Sequence, residues 1–170
     1  MSRQTTSRAL SLDTEWILGD HAFQQICAQF GEPAIDLFAA PENTKCRRFC
    51  SWFPTSGAEV VDAFTLHWGG IGFFYAFPPF ALILRTLRNI VTVGARGILV
   101  VLVWAGQPWF PLFHQLRQSR CLTFLPSSNL LLSADRSTGH RLRRSLQLQA
   151  AILSGKRSRD RASNRRQSRF

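Results

Sequence analysis

Two carboxylates and one Pro-Pro turn set between aromatic residues are the features of this chain whose types and spacing suit chemistry. Asp36 opens Asp36-Leu-Phe38-Ala39, Asp62 opens Asp62-Ala-Phe64, and Phe77-Pro78-Pro79-Phe80 lies between an apolar run and a helical pattern. A carboxylate at the end of a strand can accept hydrogen bonds from the ribose or amino group of a ligand. An aromatic ring such as Phe80 can stack on a base, as enzymes that extrude a base require. Trp104 to Trp109 supplies a fourth aromatic element that could share the same pocket. A plainer role exists for each: Asp36 can cap a turn, and the rings can fill a core. Composition alone does not separate the two.

Other chemistries have no signature here. There is no Ser/His/Asp arrangement, phosphate-binding glycine loop or HExxH motif. Gly69-Gly70-Ile71-Gly72 precedes a strand pattern instead of following one, so it is not a dinucleotide fingerprint. The four cysteines, Cys27, Cys46, Cys50 and Cys121, form no CxxC unit; they read as small buried hydrophobes in a reducing compartment, and no metal site is expected.

The elements that must hold these residues follow from hydrophobic period. Ile71 to Phe77 is apolar and aromatic, too short for a helix, and suits a strand buried on both faces. Pro78 and Pro79 cannot donate to a ladder and end it. Ile83, Leu87, Ile90 and Val91 then fall at helical spacing, with Arg85, Arg88 and Asn89 opposite. Strand, rigid turn, helix places the turn at the carboxyl end of a strand, where open α/β sheets bind ligands. Ile98 to Trp104 is a second wholly apolar strand, expected beside and parallel to the first at the sheet centre.

Before these, Asp20 can cap a helix with Phe23, Ile26, Cys27 and Phe30 on its apolar face, which Gly31 ends. Ala34 to Ala39 and Arg47 to Phe53 read as strands, and Val60 to Trp68 as a strand and turn. After them, Phe110, Phe113 and Leu116 mark a helix face, Cys121 to Leu125 a strand and Asn129 to Ser133 an edge. His140 to Leu153 reads as a basic amphipathic helix. Strands alternating with helices predict an α/β layered sheet over residues 15–133, between a disordered leader (1–14) and a basic tail (134–170).

The 170 residues are 45% hydrophobic and 12% aromatic, enough for one sizeable core. The net charge of +11 is unevenly spread: about half of the Lys and Arg lie after Asp135, where Asp160 is the only acid. Arg141, Arg143, Arg144, Lys156, Arg157, Arg159, Arg161, Arg165 and Arg166 are the candidate nucleic-acid contacts, DNA or RNA and without sequence preference. A solvated tail without a partner is the competing reading. No signal peptide is evident in residues 1–14, and the uncharged stretches Gly69–Leu84 and Gly97–Phe113 are interrupted by proline, so neither a membrane partner nor a membrane span is expected. An intracellular protein, nuclear or cytoplasmic, follows.

The order of motifs resembles one segment of DIRS-type retrotransposon polyproteins, the elements that encode a tyrosine recombinase. The residues that carry this are Asp36-Leu-Phe-Ala-Ala-Pro-Glu-Asn43-Thr-Lys-Cys46, Asp62-Ala-Phe-Thr-Leu-His-Trp68, Tyr75-Ala-Phe-Pro-Pro-Phe80, and Leu99-Val-Val101 with Gln107-Pro-Trp-Phe110. Met1-Ser-Arg-Gln4 is similar to the close of the ribonuclease H that precedes that segment, and His140 to Gly155 to the lead into the recombinase that follows it. More distantly, the region resembles phage-type Dam adenine methyltransferases. That likeness implies a Rossmann-like methyltransferase-type sheet, here truncated. It places Asp36, Phe38 and Ala39 against S-adenosylmethionine, Asp62 against its adenine, and Phe77-Pro78-Pro79-Phe80 at the catalytic turn that receives the flipped base. The family's turn begins with Asn or Asp, whose oxygen orients the target amine; Phe77 has no acceptor. The resemblance therefore implies a degenerate, inactive methyltransferase-like domain without a retained cofactor, or with S-adenosylmethionine if the pocket survives. An active DNA adenine methyltransferase and a non-enzymatic basic nucleic-acid-binding remnant are the alternatives.

Overall fold

The computed structural model describes residues 16–133 and 145–155. Its centre is β6, Arg96–Leu102, in which Ile98 to Val101 are wholly buried. Apolar residues from Ile98 to Leu102 forbid a wet face there, so β6 runs between neighbours and under helices. On one side lies β5, Phe74–Ala76, parallel to it with Tyr75 opposite Ile98. The two apolar runs are therefore adjacent parallel strands, as expected from their composition. Gly97 makes the pairing close: the ring of Phe74 crosses it so tightly that a Cβ there would lie within 2.6 Å of ring carbons.

From β5 the sheet continues through three parallel strands, β2 (Ile35–Asp36), β3 (Arg48–Ser51) and β4 (Val60–Val61), in the order β4-β3-β2-β5-β6. Beyond β6 lies β9, Leu148–Ser154, antiparallel to β6 over seven residue pairs, and outside it β7, Leu122–Phe124. The helix expected over His140–Leu153 is thus corrected over its described part: Leu148–Ser154 is a strand, inserted between two earlier ones. The sequence reads as helix because Leu, Gln and Ala all favour helices. The long apolar edge of β6 decides the matter by offering a full ladder. The sheet consequently extends past residue 133.

Helices cover both faces. In β5, Tyr75 meets Phe23 of α1 (Asp20–Phe30) edge-on, while the neighbouring Phe74 packs on Trp68. Consecutive strand residues point to opposite faces, so α1 and Trp68 lie on opposite sides of the sheet. Trp68 stacks on Phe64, over whose ring the Arg85 guanidinium sits at 4.0 Å, and this places α2 (Ile83–Val93) on the Trp68 side. A third helix, α3 (Trp109–Leu116), packs against α2.

Several boundaries differ from expectation for local reasons. Gly19, not Asp20, occupies the N-cap of α1; Asp20 is the first helical residue, where its charge suits the helix's positive end. Gly31, at φ 94°, ends the helix as expected. The strand in Ile71–Phe77 shortens to three residues because Gly72 takes φ 86°. Val60–Trp68 holds only the two-residue β4 before two short 3₁₀ turns. On α2, Val91 is exposed, and Thr86 takes its place in the core, its hydroxyl donating to the Leu82 carbonyl. Trp104 lies outside β6 and is half exposed. Leu131–Leu132 forms β8, which leaves the main sheet and pairs with β1 (Ile17–Leu18) as a separate two-stranded ribbon. No helix among the described residues is long and apolar enough to cross a membrane. The expected leader and the basic residues Arg141, Arg143, Arg144, Lys156, Arg157, Arg159, Arg161, Arg165 and Arg166 lie outside the described residues.

Candidate binding site at the switch point

Chain direction across the sheet reverses between β2 and β5: β3 and β4 follow β2 outward on one side, and β6 follows β5 on the other. Such a switch point leaves a crevice at the carboxyl ends of the two strands. A small cavity of about 30 Å³ lies there. Asp36, the last residue of β2, and Phe38 form part of its wall, and Phe77, Pro78, Pro79 and Phe80 form another part. The two motifs singled out from sequence therefore meet at one place. The other two do not: neither Asp62 nor the Trp104–Trp109 element lines this cavity. Ala39 is buried with its N–H donated to the Cys50 carbonyl, and it too is outside the lining.

Asp62 has a structural task instead. It adopts φ 65°, alone among the described non-glycine residues in the left-handed region, and its carboxylate accepts from Phe64 N at 2.9 Å to cap the turn Ala63–Thr65. Asp residues tolerate this conformation because their short side chain bonds to nearby backbone.

Asp36 is held more elaborately. One carboxylate oxygen accepts from Phe38 N at 3.2 Å and the other from Lys45 N at 3.0 Å. Burial nonetheless dominates: with 2% of its surface exposed, its pKa rises from 3.8 to about 7, against the lowering effect of the two N–H donors and of the Lys45 charge. Lys45 does not pair with it directly; its ammonium bonds the Asp20 carboxylate at 2.9 Å. A carboxylate four lone pairs wide that spends two on backbone keeps acceptor capacity for something else.

Beside Asp36, in register on β5, stands Tyr75. The chain's only tyrosine is buried and lines the cavity, and its hydroxyl has no hydrogen-bond partner among the described residues. Neither Tyr75 nor the lining residues Asn43, Lys45 and Trp16 were assigned a role from sequence. The one available signal was a lone phenol inside an otherwise hydrocarbon strand. The ribbon of β1 and β8 closes the cavity from above through Ile17, Leu18 and Leu131. Past Asn43 and Lys45, which the two spaces share, a second cavity of about 290 Å³ is lined by Asp20, Phe23, Gln24 and Glu42.

Cys46 and Cys50 are unreactive by environment. Burial, the largest cause, pushes Cys46 up to about 12 and Cys50 up to about 11, so neither is a thiolate at neutral pH. Among the described residues no group of His, Cys, Asp and Glu could hold a metal ion. In comparison with known proteins, no family model and no curated protein matches this chain.

Proposed function

We propose that this chain is a methyltransferase-like α/β domain of retroelement origin that no longer methylates and that binds nucleic acid through its basic residues. The observation that carries the reading is the meeting of Asp36 and Phe38 with Phe77-Pro78-Pro79-Phe80 in one crevice at the switch point. A cofactor-facing strand end and a base-receiving turn must converge in such an enzyme, and an antiparallel strand next to the sheet's far edge accords with a methyltransferase-type Rossmann-like sheet. The residues present fit S-adenosylmethionine in part. Asp36 can accept from a ligand amine and Phe38 can pack on its apolar portion, but the cavity of about 30 Å³ falls far below the 300–1,000 Å³ typical of small-molecule sites. A nucleoside must either displace β1 and β8 or occupy the neighbouring space.

The catalytic argument turns on position 77. When bound, S-adenosylmethionine would supply an activated methyl group. The protein's part is to hold the target amine with its lone pair aimed at that methyl, through a hydrogen-bond acceptor at the head of the Pro-Pro turn. Phe77 supplies no acceptor, so the amine is left unoriented and the rate advantage of positioning is lost. Nucleic-acid binding is independent of this defect, since Arg-rich segments bind phosphate as bidentate donors whatever the fold does. An intracellular setting, nuclear or cytoplasmic, goes with both parts of the reading.

Calorimetry with S-adenosylmethionine, together with transfer of labelled methyl groups to duplex DNA, tests this. The expected result is weak or absent cofactor binding and no incorporation above background. Sustained incorporation that depends on Asp36 would overturn the inactive reading in favour of an active adenine methyltransferase.

A further inference from the structure

The geometry points to Asp36 and Tyr75 as a two-residue seat for a primary ammonium group, a recognition element that deepens the reading of this crevice as a ligand site and rests on it. The two residues are cross-strand partners on β2 and β5, so their side chains emerge side by side at the switch point. Both line the same cavity and both are 2% exposed. The Tyr75 hydroxyl is buried without a partner among the described residues, and Asp36 retains lone pairs beyond the two that bond Phe38 N and Lys45 N. An orphaned buried hydroxyl costs about 1–3 kcal/mol, so its persistence beside a ligand crevice marks a missing group.

The surroundings choose that group's charge. An anion would face the Asp36 carboxylate, and the nearby cation, Lys45, is engaged by Asp20. A hydrocarbon would leave the carboxylate and the hydroxyl unanswered. An ammonium donates one N–H to Asp36 and another to the Tyr75 oxygen. The aromatic rings of Phe38, Phe77 and Phe80 on the wall suit a cation as well. Size agrees, because about 30 Å³ receives a head group of one or two heavy atoms, and a larger space of about 290 Å³ adjoins it across Asn43 and Lys45. Tyr75 is thus a binding residue, and nothing in its role requires catalysis.

The test compares the full chain with Tyr75→Phe, which deletes the hydroxyl and keeps the ring. Calorimetry uses three probes: S-adenosylmethionine, adenosine, which lacks the ammonium, and L-methioninamide, an ammonium without a nucleoside. Thermal unfolding is measured alongside. The expected result is that Tyr75→Phe weakens S-adenosylmethionine and methioninamide about tenfold, leaves adenosine within twofold, and does not lower the melting temperature. Equal binding of S-adenosylmethionine and methioninamide by both proteins overturns the seat, and means that a structural water fills the cavity. A lower melting temperature overturns it too, since the hydroxyl would then have a partner in the fold. Binding of methioninamide alone, lost in the variant, keeps the seat and removes S-adenosylmethionine as its ligand. Binding of adenosine as tightly as S-adenosylmethionine overturns the seat and keeps a nucleoside site in the crevice. If wild type binds none of the three, the seat falls, while the inactive methyltransferase-like reading, which expects weak or absent cofactor binding, stands.

Discussion

The buried Asp36 makes stability run backwards with pH. Most native carboxylates have lowered pKa values and lose stability in acid, but Asp36 is raised from 3.8 to about 7 because burial outweighs its two backbone donors. Its folded form therefore holds a proton that the unfolded chain releases between about pH 4 and 7. The stability it permits is fully present below the unfolded value and is lost as pH rises through the folded one. At 1.36 kcal/mol for each pH unit, the span amounts to about 4 kcal/mol, a large fraction of the roughly 5–15 kcal/mol typical of a domain. The assay is urea denaturation at intervals from pH 4.5 to 8.5, for wild type and Asp36→Asn. Glu59, held below its ordinary 4.5 by hydrogen bonding and charge from Arg48, is present in both proteins and cancels from the comparison. Asn at 36 keeps one acceptor for Phe38 N or Lys45 N and turns an amide against the other, which costs about 1–3 kcal/mol at every pH. The slope, not the offset, is thus the readout. Wild type should lose several kcal/mol of stability relative to Asp36→Asn across the window. Parallel profiles would show that Asp36 is ionised and well solvated in the fold, and the argument from burial would fail.

Three further outcomes follow from the structure. Val101→Asp puts an unpaired charge at a wholly buried position of the central strand and should abolish cooperative unfolding, seen as loss of the near-ultraviolet dichroism transition. Gly97→Ala should cost about 1–3 kcal/mol in urea denaturation, because its methyl would enter the Phe74 ring; no cost would mean that β5 and β6 are more loosely paired. Deleting residues 156–170, which spares β9, should weaken binding to a random DNA duplex and flatten its dependence on salt, and unchanged binding would assign the tail no role in recognition.

Much of the architecture is legible in particular residues. The continuous apolar runs before Pro78 and after Arg96 could only be interior strands, and the prolines fixed where the first of them ends. Half of the candidate site was equally legible, since Asp36 at a strand end and the Pro-Pro turn had to reach the same side of a parallel sheet. The failures have physical causes. Asp62 looks like a ligand group, yet a carboxylate two residues before a free N–H caps a turn just as well, and only coordinates separate the two. Leu148 to Leu153 satisfies both a helical and an alternating pattern, and its state is decided by β6, a strand fifty residues away. Tyr75 carried no spacing signal at all, because its importance comes from the residue beside it on another strand.

The placement of β9 bears on how the protein is made. Synthesis runs from the N-terminus, so β5, β6 and β7 emerge well before the strand that joins two of them. Until Leu148–Ser154 leaves the ribosome, β6 presents a seven-residue edge, apolar after Arg96, to any extended chain that passes, its own neighbours on a polysome included. A product terminated in the Arg-rich stretch ahead of Leu148 would keep that edge for its whole life. Such a product is expected to be a substrate for chaperones and proteases, whereas a stop codon a few residues after Gly155 would release a sealed sheet.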